Sequence, residues 1–104
     1  MKRIRHIVLF RLDDFAEGAS KEKNLFKMKE LLETLPSKIP QIREYEVGIN
    51  LKPSKRASDI SLTSSFDSLE DLEIYIEHSE HQKVAEFVLK VRSESRVIDY
   101  EYKI

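Results

Sequence analysis

Residues 3–12, RIRHIVLFRL, constrain the fold of this chain more than any other stretch. They are rich in β-branched and aromatic side chains, which suit a strand. On a pleated strand Ile4, His6, Val8, Phe10 and Leu12 share one face, and Arg3, Arg5, Ile7, Leu9 and Arg11 share the other. The first face is apolar except for His6. The second is apolar at its centre and basic at its ends. A strand apolar on both faces is usually covered on both. One face should therefore meet helices of the same chain, and the other needs a different cover.

The rest of the chain supplies the helices. Residues 20–35 read as a helix, with Ser20 as N-cap and Leu25, Met28, Leu32 and Leu35 at helical spacing. Pro36 stops it, having no N–H to donate. Residues 42–51 and 59–66 alternate as strands. Tyr45, Val47, Ile49 and Leu51 face one way on the first, and Ile60, Leu62 and Phe66 on the second. The short loop between them suits an antiparallel hairpin. Asp67 and Ser68 offer N-caps for a second helix carrying Leu69, Leu72 and Ile76. A further helical segment holds Val84, Phe87, Val88 and Val91. Residues 96–104 alternate as a last strand, with Ile98, Tyr100, Tyr102 and Ile104 expected inward and Asp99, Glu101 and Lys103 outward.

The order β-α-β-β-α-β, with its second helix broken in two, predicts an α+β, ferredoxin-like antiparallel sheet with helices on one face. It fills residues 1–104 as a single domain. The bare face then carries Ile7 and Leu9, hydroxyls from Ser61, Thr63 and Ser65, and charges. If the first and last strands pair, Arg5 and Arg11 can lie opposite Asp99 and Glu101. An apolar centre on a bare sheet face points to a homodimer formed through that face.

Composition narrows the function classes. The net charge is −1 with no strongly basic segment, so no nucleic-acid partner is expected. The absence of cysteine excludes disulfides, thiolate metal sites and cysteine nucleophiles. The N-terminal apolar run, Ile7–Phe10, is too short for a signal peptide, and no stretch approaches the length of a membrane span. A cytoplasmic location and no membrane association are the expectation.

Two of the three histidines fall in YIEHSEHQK, residues 75–83. Ser79 to Gln82 has the spacing of a capping box, which would end one helix near His78 and start the next with His81 in its first turn. A metal site would need a third ligand such as His6, Glu77 or Glu80, and the break works against a shared face, so no metal is expected. Catalysis is a second reading. Histidine is suited to proton transfer near neutral pH, and a tyrosine hydroxyl can orient a substrate oxygen. A helix N-terminus would favour the neutral imidazole of His81. Tyr75, His81 and His6 are the candidate catalytic residues, and His78 a candidate ligand contact. The same residues also fit a structural account: a hydrogen-bonded core histidine, a core tyrosine and a solvated helix junction.

The segments HIVLFRL (6–12), IREYEVGIN (42–50), the strand 59–66, SFDSLEDLEIYIEHSEHQKVAEFV (65–88) and RVIDYEY (96–102) together resemble the stress-responsive A/B barrel domain (Dabb) family. The most specific element is Tyr75, His78 and His81 combined with His6. The resemblance implies a ferredoxin-like domain that pairs through its sheets into a dimeric α/β barrel. Plant members include stress-induced proteins and a polyketide cyclase, which closes a linear polyketide by aldol condensation without a cofactor. The catalytic tyrosine and histidine of that enzyme match Tyr75 and His81, and its pocket-lining strand-one histidine matches His6. The family commonly has proline where this chain has Ser79. The implied function is a small, partly apolar ligand in a dimer that uses no cofactor, with cyclase or lyase chemistry as one reading. A non-catalytic ligand-binding or stress-protective dimer is the other.

Overall fold

A computed structural model describes all 104 residues. The elements are β1 (Lys2–Leu12), β2 (Phe15–Ala16), β3 (Ala19–Ser20), α1 (Lys21–Glu33), β4 (Glu44–Ile49), β5 (Ile60–Phe66), α2 (Leu69–Glu77), α3 (Ser79–Val91) and β6 (Arg92–Lys103). One antiparallel sheet runs in the order β4-β5-β1-β6. With α2 and α3 counted as one broken helix and the β2–β3 hairpin set aside, this is the expected ferredoxin-like order. No helix is long and apolar enough to cross a membrane.

Local signals explain most boundaries. The Ser20 hydroxyl accepts the Lys23 N–H and starts α1. The helix ends at Thr34, just before Pro36, and buries Met28 and Leu32. Leu35 and Ile39 are fully buried beyond it and anchor the return to the sheet. Leu51 and Leu69 depart from the expected pattern. Leu51 lies past the end of β4 and is 95% exposed, and Leu69 is 60% exposed at the start of α2.

The β2–β3 hairpin is not visible in the apolar pattern, because it has only two residues on each side. Glu17 (φ 51°) and Gly18 (φ 71°) both take left-handed conformations, as a two-residue hairpin turn of the primed type requires. Glycine adopts this readily, whereas glutamate hides the signal. The buried Asn24 of α1 ties the hairpin down, its Nδ2 donating to the Ala16 carbonyl at 3.0 Å and to the Ala19 carbonyl.

The last strand corrects the reading of its faces. β1 and β6 pair with Arg3 opposite Tyr102, Arg5 opposite Tyr100, Ile7 opposite Ile98 and His6 opposite Asp99. Directly opposed residues share a face. Ile98, Tyr100 and Tyr102 therefore lie with Ile7 on the open face, and Asp99 points to the helix side. Arg5 and Arg11 do not oppose Asp99 and Glu101. Arg5 sits over the Tyr102 ring at 3.7 Å, and Arg11 pairs with Glu94 at 3.5 Å. Alternation separates two faces of a strand but does not say which meets the helices. β6 is an edge strand with its apolar face on the uncovered side of the sheet.

Candidate functional site

The antiparallel register lines up Tyr45 (β4), Ser64 (β5), His6 (β1) and Asp99 (β6) in one row across all four strands. The rows on either side of it on this face are mainly apolar. A polar row facing helices must find its hydrogen bonds there or within itself. The His6 Nδ1 lies 2.5 Å from Asp99 Oδ1. The Ser64 hydroxyl donates to the His6 carbonyl at 3.3 Å. The Tyr45 hydroxyl meets the hydroxyl of Tyr75, on α2, at 2.8 Å.

Tyr75 is fully buried and is the centre of the cluster. Its ring lies 4.6 Å from His81, 5.0 Å from Phe66, 6.1 Å from Tyr45 and 6.4 Å from His6, centroid to centroid. Burial pushes the Tyr75 hydroxyl up to about 12, opposed by the hydrogen bond from Tyr45. Burial, with Tyr75 adding to it, raises the Tyr45 hydroxyl as well. Both phenols stay protonated at neutral pH, as a hydrogen-bond donor to a substrate oxygen should.

The break between α2 and α3 places His81. His78, not Ser79, is the cap. It takes an extended conformation (φ −61°, ψ 137°), and its Nδ1 accepts the Glu80 N–H at 3.0 Å. Ser79 is thus the first helical residue of α3. This is the position where proline fits best, since no N–H is needed there. Serine in place of the family's proline keeps the break. Gln82 reaches back, its Nε2 donating to the Ile76 carbonyl at 2.9 Å and satisfying an end of α2.

His81 falls in the first turn of α3 and turns inward over Tyr75. Its Nδ1 is buried with no hydrogen-bond partner. Burial holds its pKa below the ordinary histidine value; the Ile76 carbonyl pushes the other way, and His6 and His78 push it lower. The imidazole is therefore neutral at neutral pH and carries one unused ring nitrogen. Such an unmatched group is uncommon in a native interior.

A pocket of about 240 Å³ opens between the helices and the sheet. His6, Tyr75 and His81 all line it, with Val8, Phe10, Leu62, Val84 and Val88 as apolar walls and Arg92 and Ser95 also in the lining. The expected trio is thus brought to one cavity, slightly smaller than the ~300–1,000 Å³ usual for sites of drug-sized ligands. His78 is outside it, because its ring is used as the α3 cap. No group of three or more histidine and acidic side chains converges as metal ligands. A larger depression of about 530 Å³ lies around Leu9, Gly48 and Ser61 by the β4–β5 loop, and it holds none of the three histidines.

Asp99 and Tyr45 were not read as site residues from sequence. Asp99 was hidden by the inverted face of β6, and Tyr45 looked like any aromatic on an apolar strand face. The one usable signal was register: pairing of β1 with β6 puts Asp99 or a neighbour beside the inward His6.

The geometry defines a ferredoxin-like α+β domain with a polar-floored pocket between sheet and broken helix. The stress responsive A/B barrel domain (Dabb) model matches residues 4–102, and the chain belongs to that family. An uncharacterised protein of Streptomyces coelicolor is 32% identical over 80 residues, which cover 76% of this chain and 79% of that one. A dimeric ferredoxin-like protein of unknown function from Bacteroides fragilis superposes with a TM-score of 0.83 at 34% identity, over 96% of each chain. Hydroxynitrile lyase from Passiflora edulis superposes with a TM-score of 0.80 at 19% identity, over 97% of this chain and 94% of the enzyme. The last likeness is one of fold.

Proposed function

We propose that this protein is a homodimer that binds a small, partly apolar carbonyl compound in the His6–Tyr75–His81 pocket and catalyses a cofactor-independent, cyclase- or lyase-type proton abstraction. The observation that carries this reading is His81, neutral and with a buried, partnerless Nδ1, lining an apolar pocket together with Tyr75. His81 takes a proton from carbon beside the carbonyl. Tyr75 donates a hydrogen bond to the carbonyl oxygen as negative charge develops there. Tyr45 fixes the Tyr75 hydroxyl. Asp99 occupies Nδ1 of His6 and leaves Nε2 for a ligand contact. The apolar walls exclude water, which strengthens each of these interactions. The lyase from Passiflora edulis supports the reading to the extent that this fold carries lyase chemistry in another protein.

The dimer rests on the open face. Ile98 is 58% exposed and Leu9 40% exposed in the single chain, and Ile7 and Tyr100 lie beside them. The dimeric state of the protein from Bacteroides fragilis supports a dimer here. A second reading, binding without chemistry, is favoured by one observation: the Tyr75 hydroxyl already has a partner in Tyr45.

Deuterium incorporation beside the carbonyl of small apolar β-keto esters tests the reaction. The expected result is protein-dependent exchange that falls about 10²- to 10⁴-fold in His81→Gln with the fold intact. Exchange at the same rate in His81→Gln would remove His81 as base. Binding of the esters with no exchange above buffer would establish the non-catalytic reading.

A further inference from the structure

Arg92 lies where α3 passes into β6, and it lines the same pocket as His6, Tyr75 and His81. No aspartate or glutamate lines that pocket. Arg92 also makes no ion pair. Its Nη1 donates to the neutral Ser95 hydroxyl at 2.7 Å, and Glu94, two residues on, is engaged by Arg11 and Arg96. A guanidinium has five N–H donors in a planar fork suited to a carboxylate, so most of its capacity is unspent. Apolar walls concentrate the field of a fixed charge in a cleft. The lining thus combines a permanent cation, an apolar body and the polar side chains of His6, Tyr75, His81 and Ser95, with one buried imidazole nitrogen unpartnered.

We propose that the pocket selects a small amphiphilic carboxylate, whose carboxylate pairs with Arg92 and whose apolar body lies between α3 and the sheet. This rests on the reading that the pocket holds a small molecule, and it adds the charge class of that molecule. A volume of about 240 Å³ suits a single ring or a short chain beside the acid. Arg92 and Ser95 form the acid-binding end; Tyr75 and His81 meet the opposite, uncharged end.

Hydrocinnamate and hydrocinnamamide have the same shape and differ in the charged group. Each is titrated into the full-length protein, with affinity read by calorimetry and the site by backbone amide NMR shifts. The expected result is a preference for the acid of about tenfold or more, weakened by salt. Arg92→Gln should bring the acid to the level of the amide, removing the preference. Arg92→Lys, a point charge without the fork, should retain part of the preference. Equal binding of acid and amide to the unaltered protein, or a preference that survives Arg92→Gln, overturns the carboxylate assignment and leaves the pocket reading standing. Failure of both compounds to shift the amides around Tyr75, His81 and Val88 overturns the pocket reading along with it.

Discussion

The hydroxyl pair of Tyr45 and Tyr75 makes the sharpest test of the site's geometry. Each phenol is the other's hydrogen-bond partner at 2.8 Å. Tyr75 is fully buried, whereas Tyr45 is partly buried. Tyr45→Phe leaves the Tyr75 oxygen desolvated and unmatched, which costs about 2 kcal/mol, within the range for a stranded buried polar group. Tyr75→Phe strands the less buried Tyr45 hydroxyl and costs about 1 kcal/mol on the same scale. The double variant removes both hydroxyls and keeps both rings, so neither group is stranded. Its cost should be well below the ~3 kcal/mol sum, a coupling of about 1 kcal/mol or more. Urea denaturation of the four proteins measures this, at one fixed protein concentration because self-association adds to apparent stability. The single variants should also melt several degrees lower, since about 1 kcal/mol shifts a domain of this size by roughly 4–8 °C. Additivity to within ~0.5 kcal/mol would refute the argument: the hydroxyls would then be independently solvated, and Tyr45 would not hold Tyr75.

Three further outcomes follow from the same geometry. Because burial lowers the folded-state pKa of His81, the unfolded chain binds a proton first as pH falls. Stability is therefore full above about pH 6.5 and declines from there down through the lowered folded value. The difference between the wild type and His81→Gln should show this slope, and NMR titration should place His81 below the ordinary value; a His81 titrating at or above it would contradict the burial argument. Ser79→Pro should be neutral or stabilise by about 0.5–1 kcal/mol, because position 79 opens α3 and His78 already has the extended backbone preferred before proline. A clear loss of melting temperature would count against that assignment. Ile98→Glu places a charge opposite Ile7 on the open face and should give a folded monomer by analytical ultracentrifugation; an unchanged dimer would exclude this face as the interface.

The local signals in the sequence were strong where they depended on neighbours in the chain. Ser20 and Ser68 as caps, Pro36 as a stop and the helical spacing of Met28 and Leu32 are short-range matters, and all correspond to the structure. The break before α3 was also legible, though its cap is His78, because an imidazole nitrogen can accept a backbone N–H as a serine oxygen can. The Glu17–Gly18 turn was missed because a non-glycine residue stands in one left-handed position. Tyr75, His81 and His6 were legible as candidates through residue type and spacing. Their floor was not, since Ser64 and Tyr45 join it only through the pairing of four strands.

Residues 3–12 by themselves required cover on both sides, and this alone implied helices on one face and a second surface on the other. Sequence also determined the element order, because hydrophobic period and caps act within a few residues. It did not determine which face of β6 meets the helices. Alternation is symmetric under exchange of the two faces, so only the register against β1 decided that Asp99 meets His6 and Ile98 meets Ile7. The packing of α2 and α3 on the sheet set Tyr45 against Tyr75 and left the His81 nitrogen without a partner. The site is a property of strands and helices far apart in the chain, and closing the fold is what brings its groups together.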